Sequence, residues 1–428
     1  MTPRAVARAI FDAALAAGDV RPLVSRALSS IEPPTRGRLI VLGAGKASGA
    51  MAAAVEESLG ERVTEGVVAV KDGYVADTRR IRLLEAGHPV PDERGARAAR
   101  EILALAVGAR ADDLVLVLVS GGGSALTPAP APPITLADKQ VVTRLLLAAG
   151  ATIDELNAVR KHVSLLKGGQ LARAASPARV RALMLSDVIG DPLDVIASGP
   201  TAPDSSTFAE ALAVIERFGI RERAPASVID RLERGARGEI AETPKPEDPL
   251  FGRITNVVIG NNALVVDAAA ARARELGWAP LVLTRALAGE ARELGRHWVQ
   301  LARDIKAGRG PVAAPTCVIA SGETTVTVRG RGRGGRCQEF ALAAAIEMEG
   351  MDGVVMLAAG TDGSDGPTTA AGAVANGRTA RRARELGADP RARLEDNDSH
   401  AVFACLGDLV VTGPTNTNLL DLYLLLVH

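Results

Sequence analysis

Short, uninterrupted apolar runs recur along this chain, each closed by glycine-rich polar residues and followed by an amphipathic stretch. Residues 38–42 form one such run, ending in Gly43-Ala44-Gly45-Lys46-Ala47-Ser48 ahead of a helical pattern over 50–59. Residues 66–70 and 114–119 repeat the design, the second with no polar position at all and ending in Ser120-Gly121-Gly122-Gly123-Ser124. A run without alternation is what a parallel strand covered on both faces requires. A Pro-rich piece over 128–133 interrupts the pattern, helices are predicted over 136–149 and 153–174, and a strand over 180–185 leads into Ser186-Asp187-Val188-Ile189-Gly190-Asp191.

The charged, Pro-rich stretch 242–249 reads as a linker and hinge. Beyond it strands are predicted over 256–259, 281–283, 316–320, 324–329 and 353–358, with helices over 263–276, 289–307 and 337–349. The alternation predicts two three-layer α/β domains. The first is a Rossmann-like, doubly wound, mostly parallel sheet over residues 1–245, joined by the C-terminal segment 406–428. The second is a smaller mixed sheet with helices over residues 246–405. In such sheets ligands sit at the C-terminal ends of the strands, where the glycine-rich loops fall.

Composition narrows the function. The 428 residues carry 50 basic and 50 acidic side chains, so no basic excess exists to bind a nucleic-acid backbone. No apolar run is long enough to span a bilayer, and the amphipathic N-terminus carries Asp12 where a signal peptide would be apolar. The three cysteines, Cys317, Cys337 and Cys405, are widely spaced and form no CxxC pair, which fits a reducing, cytoplasmic setting.

Five places carry chemistry. Lys46 is one of only seven lysines among fifty basic residues and stands at a helix start. There, with Gly43 and Gly45, it suits a phosphate or the charge of a phosphoryl group in transfer. Gly121, Gly122 and Gly123, flanked by Ser120 and Ser124, let backbone N–H groups approach an anion. Asn157, Arg160, Ser164 and Lys167 share one face of the helix predicted over 153–174, with Lys161 beside them, and Arg160 can grip a carboxylate. Asp187 and Asp191 share a turn suited to taking a hydroxyl proton or holding a cation. Arg329, Arg331, Arg333 and Arg336 lie in a glycine-rich loop with Gly335, near Asp362 and Asp365. His88 stands in a polar loop where it can touch substrate.

These stretches, together with Gly87 to Asp92, Ser198 to Thr201, Gly322 to Val326 and Thr412 to Thr415, resemble the class II glycerate 2-kinases, whose second domain is called MOFRL. The resemblance runs from about residue 38 to the C-terminus. It implies phosphorylation of D-glycerate on its 2-hydroxyl by ATP with Mg²⁺, giving 2-phosphoglycerate, with Asp187 orienting or deprotonating the hydroxyl and Lys46 and Arg336 stabilising the phosphoryl group. Nucleotide or phosphate contacts then fall to Gly43, Gly45, Ser120 to Ser124 and Gly335. Substrate contacts fall to Arg160, Lys161, Ser164 and His88, and metal contacts to Asp191, Asp362 and Asp365. The expected partners are small molecules and, in assembly, a second copy of the chain. Cys337 and Thr369 depart from the family pattern, where asparagine and aspartate are expected. The competing readings are an NAD(P)H-dependent hydroxypyruvate reductase, since Gly43 and Gly45 make half of a dinucleotide fingerprint, and a non-catalytic sugar-acid-binding protein.

Overall fold

Twelve strands form two six-stranded sheets in the computed structural model, which describes residues 1–428. They are β1 (Leu39–Ala44), β2 (Val63–Lys71), β3 (Ile81–Ala86), β4 (Leu114–Val119), β5 (Arg179–Leu185), β6 (Ile254–Gly260), β7 (Ala279–Glu290), β8 (Thr316–Thr325), β9 (Val354–Gly360), β10 (Gly372–Asn376), β11 (Leu409–Val410) and β12 (Asp421–Val427). Two compact units hold one sheet each: Val20–Ile259, and Met1–Asp19 with Gly260–His428. No helix is long and apolar enough to cross a membrane.

The first sheet has the order β3-β2-β1-β4-β5-β6, and the pairings among β1 to β5 are all parallel. This is the Rossmann order, which reverses between β1 and β4 and opens a crevice at their C-terminal ends. Every side chain of β4 is buried, as its unbroken apolar sequence demands. The sequence expectation of a doubly wound first domain is the observed fold.

The second sheet is mixed, with the order β11-β10-β9-β12-β8-β7. β12 runs antiparallel to both β8 and β9, whereas β7 and β8 are parallel. The expected strand at 316–320 runs on to Thr325 as β8, whereas residues 326–329, also expected as strand, lie beyond its end. Gly322 carries it through the middle, paired with Asp421, where a Cβ would strike the Leu287 backbone.

Three domain expectations are corrected. The C-terminal segment does not return to the first sheet. β12 is fully buried at the centre of the second, because its apolar run satisfies its backbone only between two neighbouring strands. Conversely, the N-terminal helix Pro3–Ala17 belongs to the second unit, where Arg4 pairs with Asp408. The stretch 242–249 is no loose hinge but lies inside the first unit. Glu242 accepts from His162 Nε2 at 3.0 Å and from the Phe208 amide at 2.8 Å, and Thr243 Oγ1 donates to Asp204 at 3.0 Å.

Candidate active site

The two glycine loops of the first sheet interlock at its switch point. The Lys46 amide donates to the Gly121 carbonyl at 2.9 Å, and the Ser120 amide donates to the Ala44 carbonyl at 3.2 Å. Ser120 Oγ accepts from the Ala47 amide and meets Ser48 Oγ, both at 3.0 Å. Ser120 is thus a fully buried brace between loops and offers no hydroxyl to a phosphate, contrary to the sequence expectation. Gly43, Gly45 and Gly123 are likewise required by packing. A Cβ at Gly43 would strike Leu118, at Gly45 it would strike Ser120 Oγ, and at Gly123 it would lie 2.7 Å from the Ala44 carbonyl. Gly122 differs: its φ of 86° is left-handed, and a Cβ there would lie 3.0 Å from the His88 ring and 3.5 Å from Lys46 Cγ. Lys46, His88 and Gly122 therefore meet at one point.

A second group gathers behind Ser124. The helix expected over 153–174 stops at His162, and the left-handed Gly168 and Gly169 precede a separate helix, Gln170–Ala175. The predicted helical face does not exist, yet Asn157, Arg160 and Lys167 still converge. Lys167 Nζ donates to the carbonyl and Oγ of Ser124, both at 2.8 Å, and Arg160 Nη2 bonds the same Oγ. Ser124 Oγ meets Ser198 Oγ at 3.0 Å, and Ser198 donates to Asn157 Oδ1 at 3.2 Å. Ala197 and Ser198 hold left-handed φ values of 50° and 61°, a strain of about 1–3 kcal/mol each that aims Ser198 into this group.

Two predicted substrate contacts are structural instead. Lys161 is buried and ion-paired to Asp194 at 3.1 Å and to Asp204 at 3.2 Å. Ser164 Oγ is buried and accepts from the amides of Leu166 and Lys167 in a tight turn. Sequence reading missed Lys139, on the helix Leu136–Ala148, which is 2 % exposed. Burial and then the Arg160 charge push its pKa down to about 7, and burial and then Lys139 push Lys167 well below the lysine range. The signal available in the sequence was the rarity of lysine in this chain.

Asp187 lies two residues past the end of β5 and is half-buried, while Ser186 Oγ bonds the amide and carbonyl of Val188 to shape the turn. Asp191, four residues on, sits in a left-handed conformation with a φ of 56°.

In the second unit, Arg336 opens the helix Arg336–Glu347 and is gripped by Asp421 and Glu323. Burial works against its charge, but the Asp421 carboxylate outweighs burial and raises its pKa. Asp365 is no metal ligand: its buried carboxylate accepts from the amides of Cys337 and Gln338 at 3.0 and 2.9 Å and from Gln338 Nε2 at 2.9 Å. Gly335 leaves room for that carboxylate, which a Cβ would strike, so it too serves packing. Asp362 Oδ1 accepts from the amide and hydroxyl of Ser364. No group of three or more His, Cys, Asp or Glu is placed to hold a metal ion. The Cys337 thiol is buried and its pKa lies well above the usual range, by burial and then by Asp421. Thr369 is exposed.

The glycine–arginine loop is not flexible in the way its composition suggests. Asn397 Oδ1 accepts from the amides of Arg329 and Gly330, Asp396 from those of Arg331 and Gly332, and Asp398 from that of Arg333. Gly330 and Gly332 press on residues 396–398, leaving the side chains of Arg329, Arg331 and Arg333 exposed.

A dinucleotide site would need an acid at the end of β2 to take a ribose hydroxyl. Asp72 is there, but Arg94 clamps both its oxygens at 2.6 and 2.8 Å. Ser48 stands where the third glycine of that fingerprint belongs and is buried against Ser120.

Comparison with known proteins adds to this geometry. Residues 6–233 match the family described as "Domain of unknown function (DUF4147)" and residues 316–421 match the "MOFRL family". The chain is 43% identical to the D-glycerate 2-kinase of Thermotoga maritima, covering 91% of each protein. It is 45% identical to an Agrobacterium vitis protein that carries a hydroxypyruvate reductase name, covering 100% of this chain and 95% of that one. Its structure superimposes on crystalline glycerate kinase (EC 2.7.1.31) from Thermotoga maritima with a TM-score of 0.89 at 41% identity, covering 99% of both chains.

Proposed function

The chain belongs to the family of glycerate 2-kinases with a C-terminal MOFRL domain, and from that premise we propose that it transfers the γ-phosphoryl group of ATP to the 2-hydroxyl of D-glycerate, giving 2-phosphoglycerate and ADP. The observation that carries this reading is the gathering of Lys46, Asp187 and a set of buried cations around the C-terminal ends of β1, β4 and β5. Asp187 takes the hydroxyl proton as the oxygen attacks phosphorus, and Lys46 stabilises the charge that spreads over the phosphoryl oxygens. Arg336, held by Asp421, keeps the cationic role that the family pattern gives it. His88, placed against Gly122 and Lys46, orients the reacting groups.

Magnesium would enter with ATP and neutralise its β- and γ-oxygens. Such an ion takes most of its ligands from phosphate and water and needs only one or two carboxylates. Asp191 and Asp362 are the carboxylates retained for that role.

The reductase reading shares the Rossmann order, but Asp72 is committed to Arg94. Incubation with ATP, Mg²⁺ and D-glycerate, with the product identified by phosphorus NMR, separates the two. A 2-phosphoglycerate signal that disappears in Lys46→Ala supports the kinase. Oxidation of NADH by hydroxypyruvate with no phosphorylated product overturns it.

A further inference from the structure

Lys161 shows how this fold ordinarily treats a buried cation: two carboxylates meet it, Asp194 and Asp204. Its neighbour Arg160, with Lys167 and Lys139, receives none. Lys167 is fully buried and its ammonium meets only the carbonyl and hydroxyl of Ser124. Arg160 reaches the same hydroxyl through Nη2, while its Nε is buried with no partner. The Lys139 ammonium makes neither a hydrogen bond nor an ion pair, although the residue is 2 % exposed.

The fold brings the three together on purpose-built backbone. The segment before the Lys139 helix runs against the turn that carries Lys167, with the Ala131 amide on the Val163 carbonyl at 3.0 Å and the Leu165 amide on the Ala129 carbonyl at 2.8 Å. Three buried basic groups with no acid have lost their hydration, and each one that holds a proton is repelled by the others, which makes their charged state costly in the empty protein. An anion entering the group relieves both costs.

We propose that Lys139, Arg160 and Lys167 form an anion pocket, floored by Ser124 and Ser198, that holds the carboxylate of the acceptor. It makes the enzyme selective for hydroxy acids over the corresponding neutral polyols and amides. This rests on the kinase reading for the identity of the acceptor, but the pocket itself does not. A single arginine–carboxylate bridge would suffice for orientation. Adding two lysines makes the discrimination electrostatic, since only an anionic acceptor gives their protonated forms a partner in this buried place.

The test uses the full chain and the variants Lys139→Met, Lys139→Gln and Lys139→Arg, with calorimetric binding of D-glycerate in the absence of nucleotide. The neutral variants should bind D-glycerate at least about tenfold more weakly. They should leave the KM for ATP within about twofold, and should narrow the preference for D-glycerate over glyceramide in kcat/KM by about tenfold or more. Lys139→Arg should restore binding in part. The ligand-free neutral variants should also melt at a higher temperature than the native protein, because the repulsion is gone. A lysine with a merely structural role would do the reverse. A lower melting temperature with unchanged D-glycerate affinity overturns the pocket. So does weakened binding of ADP or inorganic phosphate with D-glycerate affinity intact, which would make it a phosphate site. If D-glycerate binds through Lys139 but is never phosphorylated, the pocket stands and the kinase reading falls.

Discussion

Asp421 meets Arg336 with both carboxylate oxygens, Oδ2 lying 2.5 Å from Nε and Oδ1 3.1 Å from Nη2. The aspartate opens the central strand β12 and the arginine opens a helix 85 positions earlier, so the pair joins sheet to helix through a fully desolvated carboxylate. Tyr423 Oη donates to the same carboxylate at 3.1 Å.

Arg336 keeps Glu323 when Asp421 is removed, but the buried Asp421 carboxylate loses its cation when Arg336 is removed. Arg336→Met should therefore destabilise the chain by about 3–5 kcal/mol. Combining it with Asp421→Ala should recover most of that loss while leaving the enzyme without activity. Denaturant melts of the two single variants and the double variant measure the coupling. Additive losses would show that the pair is not mutually dependent.

Lys161 should behave as a structural lysine. Lys161→Met strands the fully buried Asp204, so a loss of about 3–5 kcal/mol in stability is expected. The KM for D-glycerate, measured below the melting transition, should stay within about twofold of the native value. A selective rise in that KM would return Lys161 to the substrate site.

The pH dependence of stability should carry the signature of Lys139. Its pKa lies at about 7 in the folded chain, lowered by burial and then by Arg160, against a reference value of 10.5. Between those values the unfolded chain binds one more proton at this position, so this contribution makes stability rise with pH across that window and lapse below it. Comparing ligand-free native protein with Lys139→Met by thermal melts from pH 6.5 to 10 isolates it. The variant should show the shallower rise.

Asn397 holds the amides of Arg329 and Gly330 through Oδ1, and its own amide nitrogen donates to Glu339 at 2.9 Å. Asn397→Ala should cost about 1–3 kcal/mol and lower hydrogen-exchange protection at residues 329–333 before the rest of the second sheet. Unchanged protection there would show that Asp396 and Asp398 suffice to hold the loop.

The sites were legible to different depths. Lys46 announced itself because a lone lysine at a helix start, after a strand and two glycines, has few other uses. Arg160 and Lys167 were found for a wrong reason, since the helix that was to align them ends at His162. Lys161 and Ser164 were misread because sequence spacing cannot tell a cation facing two aspartates from one facing none. Asp365 looked like a ligand in an Asp–Gly loop, yet it caps a helix 27 positions earlier through Gln338. The glycine–arginine loop read as pliable because its partners, residues 396–398, lie more than sixty positions away.

What the sequence determined by itself was local. Unbroken apolar runs dictated strands buried on both faces, their alternation with amphipathic stretches dictated crossovers, and the glycines after them dictated where loops could interlock. Tertiary structure alone decided which sheet received the last strand, since LYLLLV satisfies either sheet equally in composition and only neighbours with open hydrogen-bonding edges choose between them. It decided, too, which buried cations are neutralised by carboxylates and which are left for a ligand. Electrostatic energy depends on distance and desolvation, and neither is written in the order of the residues.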